Sequence, residues 1–343
     1  MPGIPAAATK KGQGGSLGGA QLKAFLGQQG ILIAFIVFTL GFALTSDRFM
    51  SAENLMTVLR QAAIIGTIAV GVTVVVIGGN LDLSVGSLLS FATVLVGDDP
   101  PSQRYVRSKH NKAAEAGLAS RHVDLPATAT QAEVESAVRG LVVDDSVHGI
   151  LVQLPLPDGL DPEPVIDLIP PEKDVDGLTE RSMGRLVRGR AGLVGCTPLG
   201  VMRLLEHYEI PTSGRRAVVI GRSTLVGLPL SLLLARKGVD ATVTMAPSRT
   251  PDMAAVVREA DIVVGAAGQA RMITADMVKP GAAVIDVGVS RTEAGIVGDV
   301  DFDAVREVAG HITPMPGGTG PMTIASLMEN TVTAARLQGI TVA

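Results

Sequence analysis

The stretch RRAVVIGRSTLVGLPLSLLLARKG, residues 215–238, carries the most readable chemistry in the sequence. An apolar strand, Ala217 to Ile220, runs into a turn opened by Gly221 and closed by Gly227, and a helix follows. Free backbone N–H groups at a helix N-terminus make an anion site. Five residues separate the two glycines and no glycine holds the second position of the turn, so a plain tight β–α turn fits as well. The next strand, ATVTMAPSRT (241–250), decides which anion. An NAD site places an acid near its end to bind ribose hydroxyls. Here that end offers Ser248 and Arg249, with Arg222 in the preceding glycine turn. Hydroxyl and guanidinium groups suit a 2′-phosphate, which points to NADP over NAD. Arg249 as a solvated loop cation is the alternative.

Further candidates stand elsewhere. Tyr105 and Lys109 are four apart in a helical segment and share one face. By spacing alone, a solvated surface lysine is the better reading. Gln153 follows a buried strand, where a glutamine is usually a satisfied amide. Asp174 and Asp176 adjoin Gly177 and read as turn acids. PGGTGPMT, residues 316–323, lets backbone approach a ligand closely and then starts a helix. Cys196 reads as a packed thiol, because no base partner is evident. The five histidines show no metal-ligand spacing, and no metal is expected.

These groups need a scaffold. FATVLVG (91–97) reads as a buried strand ended by the turn signal GDDPPS. YVRSKHNKAAEAG reads as a helix stopped by Gly117, and a further helix is expected over 133–143. GILVQLPLP (149–157) reads as a strand running into prolines, and more strands are expected over 261–265 and 283–287. Strands alternating with helices imply a parallel sheet and an α/β fold.

The 343 residues suffice for two or three domains and a sizeable core. One cysteine rules out a disulfide framework and a cysteine zinc site. A net charge of -4 and 3% aromatic residues without tryptophan argue against nucleic-acid binding. The composition is split, however. Residues 1–97 hold only five basic and three acidic side chains. Two uncharged apolar runs, Gly30 to Ser46 and Ala62 to Gly79, predict two transmembrane helices. Lys10, Lys11 and Lys23 precede the first run, so its N-terminal side is expected in the cytoplasm. Two crossings return the chain there, with the downstream enzyme part cytoplasmic and membrane association arising from residues 30–79.

VLVGDDPPSQRYVRSKHNK, GILVQLPLP, PPEKDVDG, CTPLG, VVIGRSTLVGLP, ITADMVKPGAAVIDVGVS and ITPMPGGTGPMT occur in this order over residues 91–340. Together they resemble the bacterial bifunctional methylenetetrahydrofolate dehydrogenase/methenyltetrahydrofolate cyclohydrolase family. The resemblance implies a two-domain α/β fold: a folate-binding catalytic domain over 91–196, completed by the C-terminal helix 317–343, and a Rossmann-like NADP domain over 197–316. It implies oxidation of 5,10-methylene-tetrahydrofolate by NADP, hydrolysis of the product to 10-formyl-tetrahydrofolate, and a homodimer. It assigns Lys109 as acid/base, Tyr105 as its neighbour against the substrate and Gln153 as the lysine's partner. A lysine with a lowered pKa suits that role. Asp176, Pro316, Gly317 and Gly318 become substrate ligands, while Gly221, Arg222, Ser223, Ser248, Arg249 and Val289 become cofactor ligands.

Residues 20–90, including NLDLSVGSLL (80–89), resemble instead the N-terminal part of ribose/xylose-type sugar ABC-transporter permeases. That segment stands where the folate family has a helix before its first strand, with the junction near residues 88–93. A catalytically impaired fusion and a membrane transport component are the alternative readings. The 2′-phosphate assignment predicts that Arg222→Ala and Ser248→Ala weaken NADP binding more than NAD binding. Equal losses in titrations with both cofactors would remove it.

Overall fold

The computed structural model describes residues 89–293 and 295–341, together with isolated positions between 39 and 56. The two apolar runs predicted to cross a membrane lie, apart from those isolated positions, outside the described residues. Among the described residues no helix is long and apolar enough to cross a membrane. Residues 86–343 form one compact unit.

That unit contains two parallel sheets. The smaller is ordered β2-β1-β3, from β1 (Ser90–Val96), β2 (Ala119–Leu125) and β3 (Gly149–Val152). β1 lies between the other two and is buried after its first residue, with Thr93 its one polar side chain there, as a strand covered on both faces must be. The sequence reading omitted β2. Its ASRHVDL is an edge strand of half-buried and exposed residues with none fully buried, and lacks a continuous apolar run. The strand expected over GILVQLPLP ends at Val152, before the prolines, which cannot donate to a ladder.

Between β1 and β2 runs α1 (Pro100–Glu115). It starts five residues earlier than the sequence suggested. The Asp99 side chain accepts from Ser102 N at 2.9 Å, and the two prolines occupy the first turn, where a missing N–H costs nothing. Ser102, Val106, Lys109 and Ala113 are its buried residues, at the spacing of one helix face. The face shared by Tyr105 and Lys109 therefore turns inward. α2 (Gln131–Val142) is opened by a Thr130–Glu133 capping box, and the short α3 (Pro162–Ile166) and α4 (Glu180–Val187) follow β3.

The larger sheet is ordered β10-β7-β6-β4-β5. Its strands are β4 (Arg216–Ile220), β5 (Thr242–Ala246), β6 (Ile262–Gly265), β7 (Ala283–Asp286) and β10 (His311–Ile312). β5 stops at Ala246, so PSRT is a turn rather than the end of a strand. Helices α6 (Gly227–Ala235), α7 (Met253–Arg258) and α8 (Phe302–Val305) and the hairpin β8 (Ser290–Thr292) and β9 (Gly295–Val297) complete this lobe. In each sheet the first strand lies between the second and third. Such an order leaves a crevice at the carboxyl ends of the first and third strands.

Two helices join the lobes. α5 (Cys196–His207) places Cys196 in the core beside β1 and Val201 and Leu205 in the core beside β4. α9 (Thr319–Leu337) packs along α5 and sends Leu327, Ala334 and Ala335 into the β1 core. In that core Phe91 is fully buried and stacks on His110, with ring centroids 5.7 Å apart. Phe91→Ala is expected to cost about 3–5 kcal/mol in urea denaturation. A loss below about 1 kcal/mol would contradict this packing.

Candidate active site

The β1 lobe builds one half of the site from three separate segments. Lys109, on the inward face of α1, is 5% exposed. Burial depresses its pKa, and the nearby Asp176 carboxyl opposes that shift. Its Nζ donates to Gln153 Oε1 at 3.1 Å and lies 4.6 Å from the centre of the Tyr105 ring. Gln153 is the first residue past β3, and its Nε2 donates to Leu154 O at 2.8 Å. That second bond turns the amide oxygen toward the lysine. The solvated-lysine alternative is thus corrected. The α1 periodicity carries Lys109 inward, and Gln153 gives it a partner there.

Asp176 is half-buried in the loop after β3. Burial raises its pKa, while Lys109 pulls it back down. Burial first, then Asp176, also pushes the Tyr105 hydroxyl and the Cys196 thiol up. Cys196 is packed as expected, its thiol donating to Val175 O at 3.2 Å. Asp174, by contrast, caps a turn. Its carboxylate accepts from Leu178 N, Thr179 N and Thr179 Oγ1 at 2.8 to 3.2 Å. Lys109, Tyr105, Asp176 and Cys196 form one electrostatic group, in which a lysine can exchange a proton beside a carboxyl.

A cavity of about 950 Å³ opens next to this group. Tyr105, Thr197, Pro316, Gly317, Thr319 and Thr323 contribute to its wall. The opposite wall is apolar and comes from the β4 lobe: Leu225, Val226, Val287, Val289 and Ile296. Lys109 meets the cavity through the Tyr105 ring and does not itself line it. Gly318 stands just before α9.

The glycine turn lies at the carboxyl end of β4. A Cβ on Gly221 would strike Ala266 O, and one on Gly227 would strike Gly221 O, so both positions require glycine. Among the described residues the N–H groups of Arg222, Ser223, Thr224 and Leu225 donate to nothing within the chain. Arg222, Ser223, Ser248 and Arg249 are exposed. The pairing of Ile220 with Ala246 brings the ends of β4 and β5 side by side, and these side chains with them. Open N–H donors, two guanidiniums and two serine hydroxyls fit a dinucleotide with an extra phosphate. They do not line the cavity themselves, but Leu225 and Val226 of the same turn do. Among the described residues no cluster suits a metal ion.

Three side chains escaped the sequence reading. Thr197 and Thr323 hydroxyls lie 3.1 Å apart and link the starts of α5 and α9 at the cavity wall. Asn330 Nδ2 donates to Val175 O and Val194 O, both at 2.8 Å, which ties α9 to the segment bearing Asp176. A polar amide three residues after Leu327, on the buried face of α9, was its available signal.

Two family models match the chain: the tetrahydrofolate dehydrogenase/cyclohydrolase catalytic domain over residues 82–176 and its NAD(P)-binding domain over 195–339. The bifunctional protein FolD 2 of Frankia alni is 57% identical over 245 residues, spanning 71% of this chain and 84% of that protein. The bifunctional protein FolD of Oleidesulfovibrio alaskensis is 52% identical over 249 residues, spanning 72% and 87%. Among solved structures, the bifunctional FolD of Campylobacter jejuni superposes with a TM-score of 0.71 at 46% identity, covering 74% of this chain and 90% of that one. The Trypanosoma brucei enzyme, complexed with NADP and an inhibitor, gives 0.70 at 42% identity, covering 74% and 88%. With both family models matched in order on the two lobes, the chain belongs to the tetrahydrofolate dehydrogenase/cyclohydrolase family.

Proposed function

We propose that the chain oxidises 5,10-methylene-tetrahydrofolate with NADP and hydrolyses the resulting methenyl compound to 10-formyl-tetrahydrofolate. The observation that carries this reading is the buried Lys109–Gln153 pair behind Tyr105, facing the apolar wall of the glycine-turn lobe across one cavity. Bound NADP supplies the hydride acceptor. The protein's own groups do the rest. Asp176 accepts N–H donors from the aminopyrimidine edge of the substrate. Pro316, Gly317 and Gly318 let backbone approach the folate. Gly221, Arg222, Ser223, Ser248, Arg249 and Val289 hold the cofactor.

For hydrolysis, Lys109 as the amine accepts the proton of the water that adds to the methenyl carbon. As the ammonium it returns a proton to the folate nitrogen that leaves. Burial makes the amine accessible below the ordinary lysine value of 10.5. Gln153 steadies the ammonium without a counter-charge that would restore its high pKa. This assigns residues 91–196 with 317–343 as the folate domain and 197–316 as the NADP domain.

The homodimer, the permease-like origin of residues 20–90 and a membrane tether through residues 30–79 are proposed on sequence grounds alone. If the tether exists, carbonate-washed membranes retain the full chain and release a version starting near residue 86. Equal release of both would remove the tether.

Lys109→Met is expected to lower the cyclohydrolase rate by roughly 10²–10⁴-fold, the usual contribution of a positioned acid/base. The wild-type rate should rise with pH through an ionisation below 10.5, because the depressed pKa exposes the amine at lower pH. Hydrolysis of methenyl-tetrahydrofolate, followed across pH for both proteins, checks this. A variant with wild-type rate and profile would exclude Lys109.

A further inference from the structure

Two carboxylates of the β4 lobe are more deeply buried than Asp176 and take no part in the chemistry above. Asp286 ends β7 and is 1% exposed, while Asp299 follows β9 and is 0% exposed. Among the described residues neither meets a cationic side chain. Main-chain N–H groups surround them instead. The Asp286 carboxylate accepts from Gly288 N at 3.0 Å, Asp299 N at 2.9 Å and Val300 N at 3.0 Å. The Asp299 carboxylate accepts from Ala267 N at 2.6 Å, Gly268 N at 3.1 Å and Gln269 N at 2.7 Å. The two sets run in series. The first side chain fixes the backbone of the second aspartate, whose side chain then fixes the loop after β6.

The surrounding loops are shaped to these carboxylates. A Cβ on Gly288 would run into Asp299, and one on Gly298 would run into Asp286. The loops they tie are the ones that face the cleft. Ala266 abuts Gly221, at the mouth of the cofactor turn. Val287, Val289 and Ile296 form the apolar cavity wall opposite Tyr105. Three consecutive N–H groups converging on one point make an anion nest, the same device that binds phosphate at strand ends. In this chain the nest after β6 is filled from inside by Asp299. The nest after β4 is left open.

We propose that Asp286 and Asp299 are positioning residues for the cofactor half of the cleft. They form a carboxylate relay that presets the loops after β6 and β7 and closes the β6 nest to outside anions. The turn from Gly221 to Gly227, with Ser248 and Arg249 beside it, stays open for phosphate groups. The proposal rests on the NADP reading of this lobe. Because the relay shapes the wall opposite Tyr105 and not the 2′-phosphate pocket, its loss weakens NADP and NAD by the same factor.

The test uses Asp299→Ala and Asp299→Asn in the full chain. NADP and NAD affinities are measured by calorimetry with and without formate, cyclohydrolase is assayed without cofactor, and thermal unfolding is recorded. For Asp299→Ala, both dissociation constants should rise together by about tenfold or more, the scale of one lost charge-assisted hydrogen bond. Formate, as a free carboxylate for the emptied nest, should recover part of that loss. Cyclohydrolase should stay within about twofold of wild type, since its lysine sits in the other lobe. Asp299→Asn, which keeps the shape and one acceptor oxygen, should fall between. Unchanged affinity in a folded variant overturns the proposal. So does a loss confined to NADP, or a parallel fall of affinity, cyclohydrolase and unfolding temperature. If Asp299→Ala does not fold, unchanged affinity in Asp299→Asn overturns it equally. Calorimetry keeps the relay testable even if the wild-type chain turns over no methylene-tetrahydrofolate, an outcome that counts against the enzymatic reading instead.

Discussion

Burying an amine is the constraint on which the β1 lobe depends. An isolated ammonium taken out of water costs several kcal/mol unless other groups replace its hydration. Lys109 receives an amide oxygen, an aromatic face and a carboxyl at longer range. Each comes from a different part of the chain: Gln153 from the end of β3, Tyr105 from the previous turn of α1 and Asp176 from the loop beyond. The replacement is partial, and its incompleteness is useful. A fully compensated ammonium would hold its proton, whereas this one is biased toward release.

Sheet topology puts these groups in one place. Both sheets are parallel with the first strand between the second and third, so each opens a crevice at its carboxyl edge. Gln153 stands at one edge, and Gly221 stands at the other. α5 contributes to both cores, and α9 returns to the first, which keeps the two edges facing a shared cavity. Asn330 secures this return by bonding the carbonyls of Val175, next to Asp176, and Val194, just before α5.

The buried ionisable groups fall into two kinds. Lys109 has one hydrogen-bond acceptor and a tunable proton. Asp286 and Asp299 each accept three backbone N–H bonds, and that geometry holds loops in place. Under-bonded groups lie next to the cavity and saturated ones behind its wall. A site that must be both reactive and rigid is served by this division.

The parallel α/β class was legible in the patterning alone, because apolar runs such as those of β4 and β6 can be buried only on both faces of a sheet. The sequence also specified the glycine turn and the basic, acid-free segment that follows the next strand, which are local features. The edge strand β2 was hidden by its polar face, and the start of α1 by prolines that read as loop signals. The tertiary structure alone decided that Lys109 is buried, that Asn330 anchors the last helix and that Asp286 and Asp299 fix the cleft loops. Local propensity depends on neighbours within a few residues. Desolvation and hydrogen-bond partnership depend on groups such as Gln153, 44 positions from Lys109, or Val175, 155 positions from Asn330. Only folding brings such groups together, so the protonation chemistry of the site is a property of the fold and not of any one motif.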